Sequence, residues 1–181
     1  MHGFLVWNLF LAYIPYSITY NLEKKTNRIK SRISFLFIFF SWLLFIPNTF
    51  YIITDLFHLD EGTAAPMWYD LALLFSFAWN GIILGVLSLY KMERIISEKF
   101  NWKVTGLFIY AIMWLSSIGI YVGRYLRYNS WDIITNPFQL ASDISYLCFY
   151  PLKNVMEWGM IFCFSILMTF MYVLMKKLAK E

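Results

Sequence analysis

Residues 71–90 read LALLFSFAWNGIILGVLSLY, a run without Asp, Glu, Lys or Arg. A helix of about 20 apolar residues, rising about 1.5 Å per residue, crosses the roughly 30 Å of hydrocarbon in a bilayer. Four more segments of similar length lack the same four residue types: 1–22, 33–54, 104–123 and 158–175. The spacing of the charges therefore predicts five transmembrane helices.

The composition agrees with a membrane protein. Of the 181 residues, 60% are hydrophobic and 14% are charged, whereas an ordinary soluble domain is about 45–50% apolar and about 25% charged. These values exclude a soluble globular enzyme, a disordered tail and a fibrous repeat. The two cysteines, Cys148 and Cys163, have no CxxC partner and form no disulfide framework.

We expect an all-α fold, a polytopic helical membrane protein that forms a single integral domain over residues 1–181. Asp143 divides the chain between Asp132 and Lys153 into two apolar runs that are too short to span a bilayer. That part is predicted to be a short interfacial or re-entrant segment, at about 133–151. The predicted transmembrane helices cover about 4–21, 33–57, 69–90, 104–124 and 155–175.

The basic residues predict the orientation. Twelve of the 15 Lys and Arg residues lie in three alternate connections: 23–32, 91–103 and the tail after 175. The positive-inside rule places these connections in the cytoplasm, with the N-terminus outside and the C-terminus inside. The net charge of +4 reflects this bias, so the expected partners are membrane lipids and not nucleic acid. No cleavable signal peptide is expected, because no basic region precedes the first apolar run.

Small and polar residues predict how the helices pack. The two GxxxG sequences at 81–85 and 119–123 allow a close approach of helices, and we expect them to pack within the chain, with a dimer seam as the alternative. Asn8 and Asn80 stand alone in apolar surroundings and are predicted to donate hydrogen bonds to other helices. Pro47 is predicted to kink or restart the second helix, because proline removes one backbone donor and clashes one turn back.

Polar side chains gather at the predicted outer side of the membrane. In the second helix four of them fall within an arc of about 80° at 100° per residue. A carboxylate opens the third helix, where it suits the helix dipole, and a turn follows the fourth helix. The predicted ligand-binding residues are Asn48, Tyr51, Asp55, His58, Asp70, Arg124, Arg127, Asn129 and Asp132.

Two arginines at a low-dielectric interface are costly unless carboxylates lie nearby. We therefore expect Asp55, His58, Asp70, Arg124 and Arg127 to converge, although they belong to three helices.

The chain resembles a known family at four ordered motifs. The resemblance runs from about residue 5 to residue 175 and is to the uncharacterised bacterial multi-pass membrane family catalogued as domain of unknown function 1361. It implies a bacterial plasma-membrane protein and no particular activity. Relatives usually carry a further hydrophobic segment before the first motif. The motifs are Trp7-Asn8-Leu-Phe-Leu-Ala-Tyr-Ile-Pro15, the run from Trp42 through Pro47-Asn48 to His58-Leu59, Trp68-Tyr69-Asp70, and Gly123-Arg124-Tyr-Leu-Arg127 with Asn129-Ser130-Trp131-Asp132.

Three functions remain open from the sequence. The polar residues could bind a lipid headgroup, a small polar ligand or a divalent cation, with the arginines holding phosphate or carboxylate. They could instead form an ionic latch between helices in a structural or accessory membrane protein, or belong to a transporter subunit. No HExxH, GxSxG or P-loop sequence is present. Enzymatic activity, catalytic residues, cofactors and oligomeric state therefore stay open, and no metal centre is predicted.

Overall fold

The computed structural model describes residues 3–25, 31–58, 66–98, 102–129 and 131–178. These residues form helices and no strand, as the sequence predicts. The helices are α1 (Gly3–Lys25), α2 (Arg32–Tyr51), the 3-10 helix η1 (Ile52–His58), α3 (Met67–Ser97), α4 (Trp102–Arg124), α5 (Asp132–Thr135), α6 (Pro137–Phe149) and α7 (Val155–Leu178).

Four helical segments within the described residues are long and apolar enough to cross a membrane: Arg32–Phe57, Met67–Ser97, Gly106–Arg124 and Val155–Leu178. They correspond to the last four of the five predicted spans. The predicted first span, 4–21, does form a helix, α1, which has 23 residues. It is not among the four apolar segments, since Asn8, Ser17, Thr19 and Asn21 lower its hydropathy. The count of five spans stays a prediction.

The chain divides into two compact units, Met1–Ile109 (unit 1) and Tyr110–Glu181 (unit 2), with the boundary inside α4. In unit 1, α1 packs against both α2 and α3. Its first half shares an apolar cluster with the first half of α3, formed by Leu5, Ala12, Leu74 and Ala78 together with Ile52. The second halves of the two helices meet at Thr19 and Ser88. Thus α1 and α3 run in the same direction.

A buried hydrogen-bond network joins the three helices of unit 1. The indole Nε1 of Trp42 donates to Ser88 Oγ at 2.8 Å, and Thr19 Oγ1 lies 3.3 Å from the same Ser88 oxygen. All three side chains are fully buried. Because Trp42 meets the second half of α3 whereas Ile52 meets its first half, α2 runs opposite to α1 and α3.

The GxxxG sequence at 81–85 packs within the chain, as predicted, and its partner is α2. A Cβ added to Gly81 would lie 2.7 Å from the backbone oxygen of Thr49, and one added to Gly85 would clash with the Thr49 side chain. Small residues let two helix backbones approach closely. Gly81 and Gly85 therefore set the distance between α2 and α3.

Helix α2 does not restart at Pro47, contrary to one of the two predicted effects of this residue. The α-helix continues through Pro47 to Tyr51 and only then tightens into the 3-10 helix Ile52–His58. The missing N–H of Pro47 leaves one carbonyl without its helical donor, a cost that the packing of α2 against α1 and α3 offsets.

The two lone asparagines behave differently. Asn8 donates from Nδ2 to Asp55 Oδ2 at 3.4 Å and so joins α1 to η1, as predicted for a donor between helices. Asn80 instead donates to the carbonyl of Ser76 in its own helix at 2.8 Å, with its side chain exposed. The prediction of a contact between helices is therefore wrong for Asn80 within unit 1.

Unit 2 is built around Tyr121, Leu147 and Ile161, which form its apolar cluster. The indole Nε1 of Trp158 donates to the Leu147 carbonyl at 3.1 Å and joins α7 to α6. At 13 residues, or about 20 Å, α6 is too short to span a bilayer. The predicted segment 133–151 is thus mostly helical, and its place at the membrane interface stays a prediction.

We predict that Gly81→Ala lowers the free energy of unfolding by about 1–3 kcal/mol, because the new methyl group meets a helix backbone that cannot move aside. The melting temperature of the detergent-purified protein measures this. Gly159→Ala is the matched control, since a Cβ there meets nothing within 4 Å. Equal melting temperatures for the two variants would contradict the close approach of α2 and α3.

Candidate functional site

The polar end of unit 1 comprises Asn8 of α1, Asp55 of η1 and Asp70 of α3. All three lie near the apolar cluster of Leu5, Ile52 and Leu74, at the end of the unit where α1 and α3 begin. Asp55 and Asp70 are 4% and 3% exposed. Carboxylates are rarely buried to this degree unless they are paired or bind a ligand.

Asp55 owes its position to the change of helix type. Residues Ile52–His58 form a 3-10 helix, which turns by about 120° per residue instead of the 100° of an α-helix. The hydroxyl of Thr54 donates to the Tyr51 carbonyl at 2.6 Å in this segment. Asp55 thereby turns toward α1, where it accepts the hydrogen bond from Asn8.

The four polar residues of the predicted stripe do not all lie on an α-helix. The α-helix ends at Tyr51, so Asp55 is displaced by roughly 80° from the position expected at 100° per residue. Asn48 and Tyr51 are half-buried, and Asn48 Nδ2 donates to the Phe45 carbonyl at 3.2 Å. His58 is the last residue of η1, and its side chain lies outside the described residues.

Asp70 lies in the first turn of α3, as predicted, but it does not cap the helix. The N-cap residue is Pro66, whose carbonyl accepts the Tyr69 N–H at 2.8 Å. A carboxylate in the first turn interacts favourably with the positive end of the helix dipole. A surface position would serve that purpose equally well, so helix stabilisation does not account for the burial of Asp70.

The predicted site residues of unit 2 follow the end of α4. Arg124 is its last residue and is half-buried, whereas Arg127 is exposed. Arg127 has φ 59°, a left-handed conformation that is uncommon for residues other than glycine. The chain reverses there, and the N–H of Tyr128 donates to the Val122 carbonyl at 3.2 Å.

Asn129 and Asp132 form the predicted turn. Asp132 Oδ2 accepts from the backbone N–H of Asn129 at 2.6 Å, and Oδ1 accepts from the hydroxyl of Thr135 at 2.9 Å. The hydrogen bond from the Asn129 backbone, followed by that from Thr135, lowers the pKa of Asp132 below its ordinary value. Asp132 therefore stabilises the turn as a carboxylate.

Sequence reasoning missed a contact between Tyr128 and Asp143. The phenol of Tyr128 donates to Asp143 Oδ2 at 2.8 Å and joins the segment after α4 to α6. This hydrogen bond, with lesser contributions from burial and from the negative charge, raises the pKa of Tyr128. The signal in the sequence was the lone charge of Asp143 in an apolar segment.

A second missed cluster lies at the opposite end of unit 1. Glu23 of α1 pairs with Lys91 of α3 and lies 3.6 Å from Arg94. The ammonium group of Lys24 sits 4.1 Å from the centre of the Tyr20 ring. These contacts keep the C-terminal end of α1 beside the C-terminal part of α3. The charge distribution in the sequence located the basic residues of the two connections, but it did not indicate that they pair with Glu23.

The structure brings Asn8 to Asp55 and Asn129 to Asp132. The predicted convergence of Arg124 and Arg127 with Asp55, His58 and Asp70 stays a prediction, as does a ligand-binding role for each of these residues. The described residues contain no group of three or more His, Cys, Asp or Glu side chains that could hold a metal ion.

The family model described as a protein of unknown function, DUF1361, matches residues 7–174. The chain belongs to the DUF1361 family. This confirms the resemblance found at the four sequence motifs, all of which lie within the matched range. No curated protein and no solved structure matches the chain significantly. The DUF1361 match identifies the family without assigning an activity to any residue.

We predict that Asp143→Ala lowers the pH at which Tyr128 ionises. Because the hydrogen bond stabilises the neutral phenol and so raises its pKa, the contribution of this contact to stability is present below the ordinary tyrosine pKa and is lost as the pH rises through the raised value. Carbon-13 NMR of ring-labelled tyrosine measures the titration, and Tyr128→Phe assigns the resonance. Glu98→Gln, an exposed carboxylate of unit 1, serves as the control. An unchanged titration in Asp143→Ala would contradict the hydrogen bond.

Proposed function

We propose that this DUF1361 protein is a bacterial plasma-membrane protein with five spans, and that the polar end of unit 1 is a ligand-binding site at the outer leaflet. The ligand is a lipid headgroup, a small polar molecule or a divalent cation. The observation that carries the proposal is the burial of both Asp55 and Asp70 in an apolar helical unit. Ionisable side chains buried within membrane proteins usually mark functional sites.

The position of α1 supports a fifth span. Its 23 residues correspond to about 34 Å, which suffices to cross the hydrocarbon. It runs beside α3 over its whole length, from the apolar cluster near Leu5 and Leu74 to the ion pair of Glu23 with Lys91. A helix aligned in this way with the charge-free residues 71–90 shares their depth in the membrane.

The distribution of Lys and Arg supports the orientation. Glu23, Lys91 and Arg94 lie at the end of unit 1 next to the predicted cytoplasmic connections 23–32 and 91–103. Asp55 and Asp70 lie at the opposite end. The positive-inside rule then directs the polar end of unit 1 to the outside.

We predict that cysteines placed singly at 61 and at 129, on a background lacking Cys148 and Cys163, react with an impermeant maleimide in intact cells. A cysteine at 97, at the end of α3, is expected to react only after the cells are permeabilised. Labelling of position 97 in intact cells would overturn the orientation.

The chemistry of the site residues supports polar ligands. Carboxylate oxygens bind divalent cations and also accept hydrogen bonds from the hydroxyl and ammonium groups of lipid headgroups. Asn8 adds an amide beside Asp55. In unit 2, Arg124 and Arg127 separately keep their predicted role as binders of phosphate or carboxylate, because a guanidinium group recognises both in a bidentate way.

A structural role is the second candidate, and the hydrogen bond from Asn8 to Asp55 favours it. In this alternative the polar end of unit 1 is a latch that ties α1 to η1. Hydrogen bonds between transmembrane helices contribute about 0.6 kcal/mol on average and up to about 1.7 kcal/mol. A ligand-binding site requires the negative charge of Asp55, whereas a latch requires only its hydrogen bond with Asn8. Substitutions can remove the charge and the hydrogen bond separately.

Asp55→Asn removes the charge but keeps an oxygen that can accept from Asn8, whereas Asn8→Leu removes the latch but keeps the charge. If the site binds a ligand, Asp55→Asn leaves the melting temperature unchanged or raises it, because burying a charge is costly. It also abolishes complementation of a deletion strain and the co-purification of bound lipid or metal detected by native mass spectrometry. Asn8→Leu keeps the charge and is expected to weaken binding without abolishing complementation or co-purification.

Glu98→Gln, at an exposed carboxylate, is the matched control and should behave as the wild type in every assay. Full complementation by Asp55→Asn, together with loss of several degrees of melting temperature in Asn8→Leu, would refute the binding site and establish the latch.

A further inference from the structure

Asn80 places an amide at the centre of a membrane-spanning helix on an exposed face. It lies midway along the charge-free residues 71–90 of α3, and its side chain is exposed. One N–H donates to the Ser76 carbonyl at 2.8 Å. Within the described part of the chain, the Asn80 carbonyl oxygen and second N–H make no hydrogen bond.

A groove between α1 and α3 opens beside this amide. Its volume is about 420 Å³, and Val6, Leu9 and Phe10 of α1 line it together with Ile83 and Leu84 of α3. Tyr13 of α1 completes the lining and carries the second polar group there, a phenol.

The apolar lining alone does not identify an occupant, because hydrocarbon tails and apolar side chains are equivalent neighbours in a bilayer. The amide does discriminate between them. Acyl chains offer no hydrogen-bonding group, and a polar group left without partners in hydrocarbon is costly. The occupant must therefore present a donor and an acceptor at the depth of Asn80.

We propose that the groove between α1 and α3 is the interface of a homodimer centred on Asn80. All copies of a membrane protein insert in the same orientation, so a two-fold axis along the membrane normal keeps every residue at its own depth. Asn80 then faces Asn80 of the partner subunit. Two primary amides satisfy each other reciprocally, each donating one N–H and accepting at its carbonyl oxygen.

The dimer is testable with the full chain reconstituted in phosphatidylcholine vesicles at high dilution. Single-molecule photobleaching of a dye on a C-terminal tag counts the copies per complex. We expect two-step bleaching for the wild type and for Asn80→Gln, which keeps the amide. Asn80→Leu is expected to lower the dimer association constant at least tenfold.

Asn21→Leu is the matched control. Asn21 is also exposed and makes the same bond within its helix, from Nδ2 to the Ser17 carbonyl at 2.8 Å, but it lies near the end of α1. It should dimerise as the wild type does. The melting temperature of monomeric Asn80→Leu should be no lower than that of Asn21→Leu, because Asn21→Leu loses a bond of the same kind and also the weaker bond from Nδ2 to Ser17 Oγ at 3.4 Å.

Disulfide cross-linking tests the interface without changing Asn80. On the cysteine-free background, Ile83→Cys in the groove should form a cross-linked dimer on oxidation in membranes. Ile166→Cys, which is 61% exposed on α7, should not.

Three results would overturn the proposal: a monomeric wild type in vesicles, an Asn80→Leu variant that dimerises as the wild type does, or equal cross-linking at positions 83 and 166. A monomeric wild type that co-purifies with an amphiphile lost in Asn80→Leu would assign the groove to a lipid instead.

Discussion

The alignment of α1 beside α3 is the constraint on which unit 1 depends. Polar contacts fix it at three depths: Asn8 with Asp55, Thr19 with Ser88, and Glu23 with Lys91. Apolar neighbours cannot replace these partners, so sliding α1 by one turn would strand several polar groups at once. Apolar packing alone tolerates such a slip in a bilayer, since lipid tails are as apolar as the side chains. The polar contacts therefore determine the register of α1 relative to α3. The close approach of the helices at Gly81 sets the distance between α2 and α3.

The candidate site follows from this register. Because the N-terminal ends of α1 and α3 lie side by side, the amide of Asn8 in α1 reaches the 3-10 helix that follows α2. The 3-10 turn brings Asp55 inward, and the first turn of α3 places Asp70 in the interior of the same end. The opposite end carries Lys91 and Arg94 with their partner Glu23. Unit 1 thus has Asp55 and Asp70 buried at one end, and Lys91 and Arg94 with the carboxylates of Glu23 and Glu93 at the other. The basic residues at one end are the asymmetry from which its orientation is proposed.

The charge spacing predicted the helices well because long charge-free runs have few alternatives to a helix in a bilayer. The prediction 33–57 agrees with the apolar segment Arg32–Phe57, and 155–175 falls within Val155–Leu178. The candidate site was harder to predict. No residue type marks the start of a 3-10 helix, so the assumption of 100° per residue throughout put Asp55 at the wrong position around the helix axis. Asn8 and Asn80 looked alike in the sequence, because a lipid-facing surface and a buried one are both apolar and periodicity cannot distinguish them.

The most direct test of the account is the depth of α1 in the membrane. Nitroxide labels at positions of α1 outside the groove (Phe4, Trp7, Ile14, Tyr20 and Lys24) report depth in proteoliposomes through the ratio of their accessibility to oxygen and to a water-soluble nickel chelate. If α1 crosses the bilayer beside α3, this ratio rises to a maximum near Tyr13 and falls toward both ends of the helix. If instead the ratio oscillates with the period of the helix and indicates the same shallow mean depth along all of α1, the helix lies on the membrane surface. That result would contradict the five-span arrangement.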